Sequence, residues 1–390
     1  MYSRIPRTIA LLSSLALFLS NPGFSQISPV QSLRSSANAG EAALQTLNDR
    51  GLSVQGVLIY DWSKSTTPAD SGAGFGRYSF DFSVPVNGEK LWGLKGSDGL
   101  VRIRNHQSNF GDDFVGAAQL YSNIDAAAAT TLYEAWIEQT LLSDKIRLKA
   151  GKIDANTEFA AVQTASDFLN SSMGFSPTIM EFPTYPEPKL GFNFFFHPTG
   201  GNTLGVGVFQ TASGGPLSII EGSHTWKSGK AENSGRISVG YWRLAGTVPR
   251  LDGGVSEQTD GVYSVIEQKV WKSAEAARQA RSLSLFLQLG TADGMVSAFA
   301  RHIGGGGVVQ GPWGRRGQDS IGVAATWVRL ASESGEGPAL SGEFIFESYY
   351  KAAFGKHVAF IQDFQLVHSA GGASSSSNCP VITPRLLVSF

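Results

Sequence analysis

The chain reads as an all-β protein, a transmembrane antiparallel barrel of about 16 strands with a short N-terminal helix. Three observations lead there. The apolar residues alternate with polar ones at a period of two through most of the length. The chain opens with an export leader, and it closes on a strand whose last residue is Phe390. Period two gives each strand one apolar and one polar face. That pattern alone suits a soluble sandwich, whose apolar faces meet in a core, as well as a barrel, whose apolar faces meet lipid. The leader, the terminal strand and the even spread of Gly/Ser/Asn/Asp clusters favour the barrel.

The leader comes first. Arg4 and Arg7 precede the apolar run Thr8 to Ser20, and Asn21-Pro22-Gly23 breaks it. The run is too short for a helical span of about 20 residues. Gly23 and Ser25 supply small residues for cleavage, so residues 1–25 read as a signal peptide cut after Ser25. Residues 26–51 form an N-terminal periplasmic segment with a helix expected over Ala39 to Asp49, stopped by Gly51. Residues 52–390 form the barrel. After the leader no stretch approaches about 18 uninterrupted apolar residues, so no helical span is expected.

The strands follow. Tyr78, Phe80, Phe82 and Val84 alternate with Ser79, Asp81 and Ser83, and Val101 and Ile103 with Arg102 and Arg104. Tyr133, Ala135 and Ile137 alternate with Glu134, Trp136 and Glu138; Ile146, Leu148 and Ala150 with Arg147 and Lys149. Ile237, Val239 and Tyr241 oppose Arg236, Ser238 and Gly240, while Leu283, Leu285, Leu287 and Leu289 oppose Ser284 and Gln288. Glu343, Glu347 and Lys351 share one face, and Phe344, Phe346 and Tyr350 the other. In the last strand Ile382, Pro384, Leu386, Val388 and Phe390 oppose Thr383, Arg385 and Ser389, with Leu387 interrupting the polar side. After removal of the leader, at roughly 20 residues per strand and connection with about 10 in the membrane, the length accommodates about 16 to 18 strands. A barrel of that size holds a water-filled channel.

Composition excludes several classes. Lys and Arg (31) nearly cancel Asp and Glu (32), so the chain lacks the basic excess of a nucleic-acid binder. A single cysteine, Cys379, excludes an internal disulfide framework and a cysteine zinc cluster. The six histidines lack HExxH spacing, and Gly304 to Gly307 is not followed by Lys-Ser/Thr. Glu134 and Glu138 would stand roughly 13 Å apart along a strand at about 3.3 Å per residue, too far for a glycosidase pair. No enzyme, cofactor or metal is expected.

A more specific signal lies between Leu132 and Gly191. It runs Leu132-Tyr133-Glu134-Ala135-Trp136-Ile137-Glu138-Gln139, then Arg147-Leu148-Lys149-Ala150-Gly151-Lys152-Ile153-Asp154-Ala155-Asn156-Thr157-Glu158-Phe159-Ala160. Phe168-Leu169-Asn170-Ser171-Ser172-Met173-Gly174 and Pro183-Thr184-Tyr185-Pro186 follow. These segments resemble the carbohydrate-selective porin family of OprB type. Leu47-Asn48-Asp49-Arg50-Gly51-Leu52, Gly261-Val262-Tyr263 and Glu267-Gln268-Lys269-Val270-Trp271 extend the resemblance over most of the mature chain. Met173, where the family usually has an aromatic, and the stretch Ala370 to Pro380 depart from it.

The resemblance implies passive, selective diffusion of mono- or oligosaccharides across the outer membrane of a Gram-negative bacterium. The implied partners are sugars, outer-membrane lipid and the barrel-assembly machinery that reads Phe390, with the chain a monomer or homotrimer. It also implies that the segment Asp154 to Asn170 folds into the barrel and narrows it. A polar path must cross the hydrocarbon slab. The inward residues Arg102, Arg104, Glu134, Trp136, Glu138, Arg147 and Lys149 offer bidentate donors, acceptors and an aromatic face to a neutral solute. Asp154, Asn156, Glu158 and Asn170 are the expected groups near the constriction. Asp154, Asn156 and Asn170 read equally as turn formers and caps, and the four cations as general solvation of the lumen. A general or other-substrate porin, and an outer-membrane or secreted carbohydrate-binding β protein or enzyme, are the competing readings.

Overall fold

In a computed structural model, the described residues are 42–65, 74–108, 115–228, 233–273, 281–314, 316–331, 342–372 and 378–390. The leader, its cleavage site, the first residues of the expected helix and part of the Ala370 to Pro380 stretch lie outside them. The helix covers 42–49, held in part by Thr46 Oγ1 donating to the Ala42 carbonyl at 2.8 Å.

From Gly51 onward the chain is a closed barrel of sixteen antiparallel strands, each paired with its neighbours in sequence. They are β1 (Gln55–Ser65), β2 (Gly74–Asn87), β3 (Ser97–Ser108), β4 (Ala129–Leu141), β5 (Ile146–Ile153), β6 (Lys189–Phe196), β7 (Asn202–Gln210) and β8 (Pro216–Ser228). β9 (Asn233–Pro249), β10 (Val255–Lys272), β11 (Ser282–Ala292), β12 (Phe299–Gln310), β13 (Ser320–Leu330), β14 (Gly342–Phe354), β15 (Val358–His368) and β16 (Cys379–Ser389) complete it. β1 pairs with β16, so no edge is left open. Phe390 and Gly56 exchange backbone hydrogen bonds at 3.0 Å in both directions, and the Phe390 ring occupies the space a side chain at Gly56 would need.

The faces are inverted relative to a soluble protein. Phe82, Ile103, Leu132, Ile137, Val239, Leu285, Ile303 and Leu386 are exposed, whereas Asp61, Arg77, Glu221, Gln288, Glu347, Gln365 and Arg385 are buried. A sandwich would bury the first set. A bilayer-spanning barrel turns it to lipid and directs the second set inward.

Tyr133 departs from the sequence expectation. Arg102 pairs with Glu134 and Ile103 with Leu132, leaving Tyr133 as the extra residue of a β-bulge. The bulge places Tyr133 on the inner side beside Glu134, and Tyr133 is only 1% exposed. Leu132, not Tyr133, therefore continues the outer face of Ala135 and Ile137.

The interior also departs from an open polar bore. The 154–188 connection between β5 and β6 folds inward, and its apolar residues sit on an apolar bed. Phe159 packs on Phe195 and Phe209, with ring centroids 5.3 and 6.1 Å away. Phe168 packs edge-on against Tyr349 (4.8 Å) and Phe286 (5.9 Å). Inward glycines make room: an added Cβ at Gly207 would come 2.6 Å from the Phe159 ring, and one at Gly322 2.8 Å from the Phe168 ring. Residues 115–128, which lead into β4, also turn inward; Tyr121 and Ser122 there are buried.

Candidate functional site

Strands β2 to β5 present one inner wall, and the expected cations lie along it. Arg104 on β3 faces Asp81, its cross-strand partner on β2, and donates to both carboxylate oxygens at 2.5 and 2.6 Å. Its guanidinium lies over the Tyr133 ring, 3.5 Å from the centroid, and 5.3 Å from that of Tyr185. A cation over a ring together with a bidentate carboxylate partner suits arginine and not lysine. Tyr133 in turn donates its hydroxyl to Asp154 at 2.6 Å. Asp154 accepts the Asn156 backbone N–H at 3.1 Å, which starts the short 3-10 turn Ala155–Thr157. The bulge thus connects the wall to the first residue of the in-folded segment.

Arg102 pairs with Glu134 at 3.0 Å. The other Glu134 oxygen accepts the Trp136 indole N–H and the Asp154 backbone N–H, each at 3.2 Å. One turn closer to the β4–β5 connection, Arg147 bridges Glu138 at 2.8 Å and Glu158 at 2.7 Å. Lys149 also reaches both, Glu138 at 3.3 Å and Glu158 by a short contact. The Arg147 guanidinium covers Phe195 at 4.0 Å and the Lys149 ammonium covers Trp136 at 3.8 Å. Burial pushes the Glu158 carboxyl up. The Arg147 hydrogen bond and the charges of Lys149 and Arg147 outweigh that and hold it below the usual carboxylate value.

These side chains differ in access to the lumen. Arg102, Arg147 and Glu138 keep 28%, 25% and 17% of their side-chain surface exposed, enough to meet a solute. Glu134, Lys149, Asp154 and Glu158 are buried or nearly so and hold the others in place. Asn170 is placed apart. It is 1% exposed, its side chain caps Ser172 N–H at 3.0 Å, and its amide donates to Gln365 at 3.3 Å. Asn170 thus serves as the cap of the helical turn Ser171–Gly174 and as a wall anchor, away from the Arg102–Arg147 strip.

The opposite wall carries residues that pattern reading did not assign. Its carboxylates accept backbone N–H groups of the in-folded connections. Glu221 takes Ala160 at 2.9 Å, Glu267 takes Thr164 at 2.6 Å, and Glu347 takes Leu169 at 2.5 Å. Glu343 takes Ala118 and Gln119, each at 2.7 Å. Gln288 donates to the carbonyls of Ser172 (2.6 Å) and Met173 (3.1 Å). Charge-assisted bonds of this kind are stronger than neutral ones. They keep the connection's backbone satisfied inside the barrel, where irregular backbone is tolerated only against protein or a water-filled cavity. A sequence signal existed in part, since Glu343 and Glu347 share a face at a spacing of four.

Two cavities flank this arrangement. One, of about 560 Å3, lies among Arg104, Tyr133, Asp154, Asn156, Tyr185 and Arg385. The other, of about 600 Å3, opens between Gln163–Thr164 and Lys227, Arg236, Glu267 and Lys269. The first joins three of the expected residues; the second contains none of them. Among the described residues no group of three or more His, Cys, Asp or Glu is arranged to hold a metal.

Comparison with known proteins extends these findings. The sequence profile described as "Carbohydrate-selective porin, OprB family" matches residues 76–255 and 244–390. No curated protein sequence matches. The high-pH structure of Pseudomonas putida OprB is similar over 90% of this chain and 97% of that one, at 16% identity and a TM-score of 0.81. Its low-pH structure gives 0.60 at the same identity, covering 90% and 96%. A double mutant of Rh. blastica porin gives 0.52 at 11% identity, covering 87% and 100%. These likenesses are to the sixteen-stranded barrel.

Proposed function

The chain belongs to the carbohydrate-selective porin, OprB family, and from that premise we propose that it is a passive outer-membrane pore for neutral mono- or oligosaccharides. The family and the fold are those of channels, not catalysts. The observation that carries the reading is the strip Arg102–Arg104–Glu138–Arg147, in which every cation has a carboxylate partner. Paired signs leave no net barrier to an uncharged solute, whereas an anion pore needs an excess of positive charge and a cation pore the reverse. Exposed guanidinium and carboxylate edges can exchange hydrogen bonds with sugar hydroxyls. The rings of Tyr185 and Trp136 beside them suit the C–H faces of a pyranose.

The four longest connections, those after β3, β5, β13 and β15, all follow odd-numbered strands, which supports placing that end outside the cell and the other end in the periplasm of a Gram-negative bacterium. Sugars and outer-membrane lipid are the proposed partners. The assembly machinery is a third, reading the terminal strand that ends in Phe390.

Liposome swelling with the full chain tests the proposal. Glucose is expected to enter faster than an amino acid of equal size. Equal rates would assign a general porin of the same architecture. Sugar-dependent closure events in planar bilayers, recorded with a panel of sugars, would then rank the substrates.

A further inference from the structure

We propose that the cavity of about 600 Å3 beside Gln163 and Thr164 is a binding site for anionic polyols, sugars that carry a carboxylate or phosphate group. The inference rests on the chain forming an aqueous pore, but not on which neutral sugar crosses it.

The cavity lies near the end of the barrel where even-numbered strands turn. Two rows of residues cross its wall. In one, Thr225 on β8 is opposite Arg236 on β9, which is opposite Glu267 on β10. In the next, Lys227 is opposite Ser234. Lys269, one residue past the Gln268–Gly235 pair, continues that row and is opposite Ser284 on β11. All of these side chains line the cavity.

The first row is committed to the in-folded connection. Arg236 pairs with Glu267 at 3.0 Å and donates to the Ala161 carbonyl, while Glu267 takes the Thr164 N–H at 2.6 Å. Their charges cancel. Lys227 and Lys269 differ: among the described residues neither has a carboxylate partner, whereas Arg102, Arg104, Arg147 and Lys149 all have one. The charged lining is therefore Lys227, Arg236 and Lys269 against Glu267 alone. The surroundings do not cancel this excess. The adjoining turns carry one base and one acid each, Lys230 with Glu232 and Arg278 with Glu275. The neighbouring groove holds Asp144 with Lys145. Adjacent strands stand about 4.8 Å apart, so the two lysines start about 10 Å apart, and their flexible stems let both ammoniums reach one anion. Ser234 between them, with Thr225, Ser284 and Gln163, offers hydroxyl and amide partners to a polyol. The volume falls in the range of small-molecule sites. An uncharged sugar gains nothing from the two ammoniums that water does not supply, whereas an anion gains their attraction.

Single-channel current of the full chain in planar bilayers, titrated with glucose, gluconate and glucose 6-phosphate, tests this. Both anions are expected to block at about fivefold lower concentration than glucose, the order expected of two partly exposed ion pairs. The advantage should shrink on raising the salt from about 0.1 M to about 1 M. Lys227→Gln with Lys269→Gln should abolish it and leave block by glucose unchanged. Lys227→Arg with Lys269→Arg should keep it, as should Lys95→Gln with Lys145→Gln at other turns of the same end. Loss for both anions assigns the shared charge, and loss for one alone assigns that group. No advantage in the unaltered chain, an advantage undiminished in the Lys227→Gln, Lys269→Gln pair, or the same loss in the Lys95→Gln, Lys145→Gln pair would each overturn the proposal. Glucose block that persists in those cases leaves the neutral-sugar reading standing. Absent glucose block with the anion advantage intact would remove that reading alone.

Discussion

The guanidinium of Arg104 lies over the ring of Tyr133, 3.5 Å from its centroid, while Tyr133 donates its hydroxyl to Asp154 at 2.6 Å. This relationship links a strand cation to the first residue of the in-folded connection. Tyr133→Phe keeps the ring under Arg104 and removes the bond to Asp154. Deleting one partner of a buried hydrogen bond costs about 1–3 kcal/mol, enough to loosen the start of the connection. The expected result is higher single-channel conductance with noisier open states, read in planar bilayers. An unaltered conductance would show that Asp154 is held without Tyr133.

Arg147 is exposed enough to touch a solute and is held by two carboxylates. Arg147→Ala should weaken sugar-induced block of single-channel current several-fold and leave assembly intact, because Lys149 still bridges Glu138 and Glu158. Unchanged block kinetics would remove Arg147 from the sugar path.

The Glu158 carboxyl sits below its ordinary value of 4.5, since Arg147 and Lys149 outweigh burial. A depressed carboxyl contributes stability that is fully present above 4.5 and is lost as pH falls through its folded-state value. The clamp on the connection should therefore hold at neutral and mildly acidic pH and release only below pH 4.5. Conductance recorded against pH should show a transition there. Glu158→Gln should abolish that transition and resemble the acid state at neutral pH.

Gly207 and Gly322 leave room for Phe159 and Phe168. Gly207→Val or Gly322→Val should displace the connection from its bed, at an overpacking cost of about 1–3 kcal/mol. A barrel still assembled but with larger conductance and weaker discrimination between glucose and disaccharides is the expected outcome. Wild-type discrimination in both variants would mean that the connection does not set the pore's selectivity.

Arg385 on β16 donates to both oxygens of Asp61 on β1, at 2.7 and 2.8 Å, across the closing seam of the barrel, and both are almost fully buried. Leaving one such charge unpaired costs about 3–5 kcal/mol. Arg385→Met alone should lower the urea midpoint of the assembled barrel, and adding Asp61→Leu should recover most of the loss. Equal loss in the single and double variants would argue that packing, not charge, matters at the seam.

Much of the architecture was legible in the chain. Alternation in Tyr78–Val84, Arg102–Arg104 and Arg147–Lys149 marks the inner and outer faces, and length sets the strand number, because a side chain's side follows directly from the two-residue period. The pairing of Arg104 with Asp81 was half legible, both being on polar faces of successive strands. Tyr133 was not legible, since a one-residue bulge reverses its side with no local marker. Nor was the apolar bed: Phe195, Phe209, Leu217 and Trp242 point inward at positions where a simple pore would have polar groups.

What the sequence alone determined, then, was the sheet: which face of most strands meets hydrocarbon, and about how many strands there are. These follow from local periodicity and from the cost of exposing polar backbone to lipid. Only the tertiary structure decided how the lumen is filled. The bonds from Glu221, Glu267, Glu343 and Glu347 to the in-folded connections join residues as many as 225 positions apart. Such contacts depend on which strands closure brings face to face across the barrel, a property of the whole ring and of no single segment.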